Sequence, residues 1–131
     1  MDSNFTGVIP SICVEPAAEA MEFYKRAFGA KELSRIPAED GRRIMHGHLE
    51  INGGGLMLSD PFPEQGYPFQ PSPSYVLQLV VDDGQAWWDR AVAAGCEVTL
   101  PFELAPWGDR YGQLRDPYQM TWAINAPAKP A

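Results

Sequence analysis

Two histidines spaced two residues apart, His46 and His48, are the densest concentration of chemistry in this chain. Successive side chains of an extended strand point to opposite faces, so His46 and His48 share a face with Ile44 and Glu50. Met45, Gly47, Leu49 and Ile51 then share the other. Two imidazoles with a carboxylate, either Glu50 or Asp60 at a neighbouring strand end, would make a facial site for a divalent metal. One imidazole alone suffices as a general acid–base near neutral pH. The pair can also orient a bound molecule by hydrogen bonds, or serve only as a polar lining or dimer contact. Arg110, in the run WGDRYG, carries a guanidinium fork suited to a carboxylate or phosphate. Its competing use is a salt bridge to Asp109 or Asp116. Trp107 follows Pro106 in a loop and is placed to wall or lid a cavity, whereas Trp122, in mid-strand, reads as core. Ser11 and Gln78 interrupt two otherwise apolar runs, VIPSICV and YVLQLVV, and need partners where buried. A ligand or bridging water would serve, and so would a backbone or cross-module bond.

The elements that must position these residues are laid out twice. Val8–Val14 reads as a strand, followed by an amphipathic helix over Pro16–Phe28 that stops at Gly29. Ala20, Phe23, Tyr24, Ala27 and Phe28 form its apolar stripe. Tyr75–Val81 reads as a second such strand, followed by a helix over Gly84–Ala94 that turns Trp87, Ala91 and Ala94 inward and stops at Gly95. Three short strands follow each helix. The expected fold is therefore α+β: two βαβββ modules with curled mixed sheets, helices outside and a cup inside. The boundaries are 5–60 for the first module, 61–73 for a linker, 74–125 for the second module and 126–131 for a frayed tail. Five prolines between Pro61 and Pro73 predict an extended linker whose Phe62, Tyr67 and Phe69 pack on something. A shift of 66 residues between modules lays Ile44, His46 and His48 onto Arg110, Gly112 and Leu114, which turns Arg110 into the cup.

Composition excludes whole classes. A chain of 131 residues with 45% hydrophobic content can bury a core without staples. A formal net charge of −7 repels nucleic acid and anionic membranes, and no apolar run is long enough to span a bilayer. Cys13 and Cys96 have neither disulfide-framework nor metal spacing and read as small buried thiols of a reducing compartment. The first ten residues carry no leader pattern, so a cytoplasmic protein is expected.

The phrases FYKRAFGA (Phe23–Ala30), LMLSD (Leu56–Asp60), WGDRYG (Trp107–Gly112) and DPYQMTW (Asp116–Trp122), set in this paired plan, resemble the vicinal oxygen chelate superfamily. This is the glyoxalase, bleomycin-resistance and ring-cleaving dioxygenase group. Within it the chain is most similar to the branch around the phosphonate-operon B protein, often labelled demethylubiquinone-methyltransferase-like. The resemblance runs from about Val8 to Asn125. It implies dimers, and in glyoxalase-like enzymes a metal ligand from the first and fourth strands of each module. The matching positions here are Ile9, Met57, Val76 and Ala123, which offer neither imidazole nor carboxylate. It also implies Glu at the place of His48, and an aromatic, Gly and His where this chain has Tyr118, Gln119 and Met120. The methyltransferase label has no support, because the only glycine cluster, Gly53–Gly55, falls in a strand-to-strand turn. The residues thus point to a protein without a resident cofactor. It would bind a small flat or anionic molecule through His46, His48, Gln78, Trp107, Arg110 and Ser11. The alternative is a divalent-metal or histidine acid–base enzyme of the lyase, isomerase or dioxygenase type. No catalytic residue is assigned. The aromatic linker and the pair Trp87–Trp88 lead us to expect a homodimer.

Overall fold

The computed structural model describes residues 5–129. They fall into two units that meet between Pro71 and Ser72. In the first, β1 (Ser11–Cys13), α1 (Ala17–Phe28), β2 (Lys31–Pro37), β3 (Ile44–Ile51) and β4 (Gly54–Ser59) build a four-stranded sheet in the order β1-β4-β3-β2. In the second, β5 (Leu77–Val80), α2 (Gly84–Ala94), β6 (Glu97–Leu104), β7 (Arg110–Arg115) and β8 (Thr121–Ala126) repeat the order as β5-β8-β7-β6. The first strand of each unit runs parallel to the fourth, and the other pairings are antiparallel. Both expected βαβββ modules are present, and the fold is α+β. No helix among the described residues is long and apolar enough to cross a membrane.

Each helix covers one sheet face through a glycine. Alpha helix α1 buries Ala17, Ala20, Met21, Phe23, Tyr24, Ala27 and Phe28, and Gly29 closes it in the left-handed region at φ 65°. A Cβ on Gly47 would lie 3.0 Å from the Met21 sulfur, so the glycine lets α1 settle onto β3. Buried Asp60 fixes the other end. Its Oδ1 accepts the Ala17 N–H at 2.9 Å and its Oδ2 accepts the Ile44 N–H at 2.6 Å, tying the start of α1 to the start of β3. In the second unit Asp83 caps α2 by accepting the Ala86 N–H at 3.1 Å. Trp88 stacks on Phe102 at 5.3 Å, over Gly112.

Several expectations change at this level. The inward tryptophan is Trp88, and Gly84, Trp88 and Ala91 make the buried stripe, while Trp87 lies half-buried under the Arg90 guanidinium. The first strands shorten to three and four residues. The first half of the linker is not extended. A 3-10 turn at Pro63–Gln65 folds Tyr67 back to pair with Phe62, and Arg43 holds the turn by lying over the Phe62 ring at 4.3 Å and meeting Glu64 at 2.8 Å. Ala126, expected to begin the tail, ends β8, and the last two tail residues lie outside the described ones, as do the first four of the segment read as lacking a leader. Cys96 is buried and Cys13 half-buried, and neither is bridged. Burial, with Asp116 nearby, pushes the Cys96 thiol up to about 12. Burial, Asp60 and Glu15 also raise Cys13.

Asp116 does cap its turn, accepting the Tyr118 and Met120 N–H groups on Oδ1 at 2.8 and 3.0 Å. The turn holds Gln119 at φ 71°, a conformation that crowds a side chain against its own carbonyl. Replacing Gln119 by Gly should raise the unfolding free energy by about 0.5–1 kcal/mol, the relief of left-handed strain outweighing the added entropy of the unfolded chain. Urea titration with an unchanged m-value checks this, and a loss of stability would refute it.

Candidate functional site

The faces turned away from the helices are where unspent polar chemistry collects. In the first unit the register aligns Ser11, Met57, His48 and Ser34 in one row across all four strands, so all four share a face. Because Gly47 lies under Met21, the alternate residues His46, His48 and Glu50 face away from α1, as their spacing predicts. The histidine rings stand 6.5 Å apart. His48 is 0% exposed, yet neither of its ring nitrogens has a hydrogen-bond partner among the described residues. His46 Nε2 and Ser34 Oγ are buried and unpartnered in the same way. Four orphaned polar atoms on two neighbouring strands are unusual, since burying such groups unpaired costs about 1–3 kcal/mol each. Burial, with His48 beside it, holds the His46 imidazole below its ordinary range, so this ring is neutral at pH 7.

The His48 ring occupies space that Gly55 opens. A Cβ on Gly55 would lie 3.1 Å from His48 Nε2, 3.3 Å from Ile9 and 3.5 Å from Phe5. The Phe5 ring meets the imidazole edge-on at 5.2 Å. Ile9 thus borders the same space with an alkyl group. Asp60 is committed to α1, and among the described residues no three His, Cys, Asp or Glu side chains gather around one point. The set His46, His48 and Glu50 is therefore not assembled as a three-ligand centre. Ile9, Met57, Val76 and Ala123, the positions expected from the resemblance, carry neither imidazole nor carboxylate.

In the second unit the corresponding row is Gln78, Ala123, Gln113 and Leu100. Gln78 and Ser11 hold the same place in the two sheets, as expected, and both are exposed. Trp107 is 61% exposed, packs edge-on against Tyr111 at 5.2 Å, and donates from Nε1 to Asn125 at 3.4 Å. With Leu100, Leu104 and Tyr111 it lines a groove of about 210 Å³. Trp122 is core, its Nε1 bonded to Asp116 at 2.9 Å. Arg110 does not face the same way as Gln78. Its guanidinium lies 4.2 Å over the Phe102 ring and donates to Gln85 of α2 at 2.9 Å, on the helix side, and neither proposed aspartate holds it. The reason is register: Gly47 corresponds to Gly112, a shift of 65 on this strand, and a one-residue slip exchanges the faces. Tyr111 and Gln113, bonded to each other at 3.0 Å, take the places of His46 and His48. The matching glycines under each helix were the available signal. Ser34 was out of reach, because a bulge between Glu32 and Ser34 breaks the count.

Residues 8–124 match the model of the Glyoxalase/Bleomycin resistance protein/Dioxygenase superfamily. The chain belongs to this superfamily. The uncharacterized protein Rv0887c of Mycobacterium tuberculosis is 37% identical over 126 residues, covering 92% of this chain and 74% of that protein. Protein PA1353 from Pseudomonas aeruginosa is 25% identical, with a TM-score of 0.75 over 94% of this chain and 98% of its own. The branch singled out from the sequence is represented by a putative 3-demethylubiquinone-9 3-methyltransferase, PhnB protein, from Bacillus cereus. At 18% identity and a TM-score of 0.69 over 92% of this chain and 98% of that one, it shares the fold. As a member of the superfamily, this chain keeps the paired modules.

Proposed function

We propose that this superfamily member binds a small flat molecule on the face of its first sheet turned away from α1, held by hydrogen bonds to His46, His48 and Ser34. The observation that carries this reading is the burial of His48 with both ring nitrogens unpartnered. A fold that needed only packing there would be better served by an aliphatic side chain. Ser11 borders the same face, and Gln78 and Trp107 offer a comparable polar and aromatic wall on the second unit. The placement of Arg110 against α2 removes the cation that motivated an anionic ligand, so the reading narrows to a neutral one. A homodimer remains part of the proposal, supported by the exposed Val98, Leu100 and Leu104 on the edge strand β6.

Replacing His48 by Leu separates binding from structure. Without ligand, His48→Leu should raise the unfolding free energy by about 1–2 kcal/mol, since an unpaired buried ring is replaced by an apolar one. In a fragment screen by ligand-observed NMR the same variant should lose the hits that wild type shows. A stabilised variant that has lost binding is the signature of a site kept at the expense of stability. Hits that persist in the variant, or a variant destabilised by more than about 1 kcal/mol, would defeat the reading.

A further inference from the structure

We propose that Phe5 occupies the place of the ligand, and that the ligand is a neutral, flat cyclic amide or heteroaromatic ring that displaces it. This rests on the reading just given and adds both the class of molecule and the route by which it enters.

His48 is sealed from solvent, so something must move before a ligand can reach it. Two side chains from the stretch before β1, Phe5 and Ile9, lie within 3.5 Å of the space above Gly55 that the imidazole shares. That stretch belongs to neither helix nor strand; Val8, midway along it, is 98% exposed, and Gly7 takes φ 80°. Its join to the sheet is the bond from the Met57 N–H to the Pro10 carbonyl. Phe5 is thus a flat ring set against His48 by a segment without a ladder of its own. It fills the volume of an aromatic ligand and satisfies none of the orphaned atoms.

The atoms left unsatisfied define what would replace it. A neutral imidazole presents one donor and one acceptor, and a serine hydroxyl presents both. An anion accepts only, and would leave the acceptor nitrogen of neutral His46 bare. A ring carrying an N–H beside a carbonyl or ring nitrogen answers both. Charge agrees with this. Among the described residues of the first unit, Lys25 and Arg35 pair with Glu22 and Glu32, and Arg42 and Arg43 pair with Asp40. Arg26 lies over Phe23 of α1, and Lys31 stands opposite Glu50 in the strand register. Glu50 shares the face of His48, so an anion there would meet a carboxylate.

The test uses three probes of similar footprint: benzimidazolone, which both donates and accepts; benzoate, an anion; and naphthalene, which does neither. Calorimetry on wild type, Phe5→Ala and Val8→Ala is read together with the ring ¹⁵N resonances of His46 and His48. Benzimidazolone should bind wild type and shift the His48 resonances. It should bind Phe5→Ala at least tenfold tighter, because no ring need be expelled, and Val8→Ala unchanged. Phe5→Leu, which fills less of the ring's footprint and keeps an apolar cover, should fall between if the alanine variant folds poorly. Equal affinity in wild type and both Phe5 variants would overturn the displacement. Benzoate or naphthalene binding as tightly as benzimidazolone would overturn the ligand class, leaving the site intact. If no probe moves a histidine resonance in any variant, the binding site itself is wrong.

Discussion

Replacing Asp116 by alanine should lower the unfolding free energy by about 3–5 kcal/mol, the largest single effect expected in the chain. The carboxylate is 3% exposed and accepts three bonds within seven residues: the Tyr118 and Met120 N–H groups on Oδ1, and the Trp122 indole N–H on Oδ2 at 2.9 Å. Alanine leaves all three donors buried, and each loses a charge-assisted partner. It also releases the turn that holds Gln119 at positive φ. For a domain of this size the loss corresponds to a fall in Tm of roughly 10–20 °C. Asp116→Asn should retain much of the stability through Oδ1 but present an N–H to the Trp122 N–H, so it should fall between. Calorimetry on the three proteins decides the matter. A loss below about 1 kcal/mol for Asp116→Ala would show that water replaces these bonds.

Gly112→Ala is the second large effect, at about 3 kcal/mol or more, and its counterpart Gly47→Ala calibrates it. The two glycines hold the same place in the two sheets, each under a helix side chain. At Gly112 an added Cβ would lie 2.7 Å from the Phe102 Cα and 2.7–2.8 Å from the Trp88 ring, which itself stacks on Phe102. Backbone and a stacked indole cannot yield without unseating α2. At Gly47 the added carbon would meet the end of Met21, 3.0 Å from sulfur and 3.1 Å from the terminal methyl, with Leu58 at 3.4 Å. A thioether has rotamers to spare, so this substitution should cost about 1 kcal/mol or less. Urea titrations of both variants give the comparison directly. Equal losses at the two sites would mean that the sheet yields as readily as the methionine.

The fold was legible because its signals are local and repeated. Helix punctuation at Gly29 and Gly95, the apolar stripe of α1 and period-two alternation in β3 each depend on near neighbours in sequence. The placement of His46 and His48 away from α1 followed from alternation alone. Trp88 was missed in favour of Trp87 because both fit a stripe containing Ala91, and Phe102, which stacks on Trp88, lies on another strand. The linker read as extended from its prolines. What turns it back is Arg43, some twenty residues away, through Phe62 and Glu64.

The sequence by itself determined the two modules and which of the two faces of β3 carries the histidines. Only the tertiary structure decided that Arg110 serves α2, that Asp60 serves the helix it caps, and that buried His48 stands beside Ser34 across the strands. The division has a physical cause. Alternation along one strand is set by its own backbone, whereas the residues that meet across strands depend on register, and bulges shift register without leaving a mark in the composition. The orphaned nitrogens of His48 are likewise a property of what surrounds the ring, and the ring's neighbours come from Phe5, Ile9 and Gly55, which lie apart along the chain.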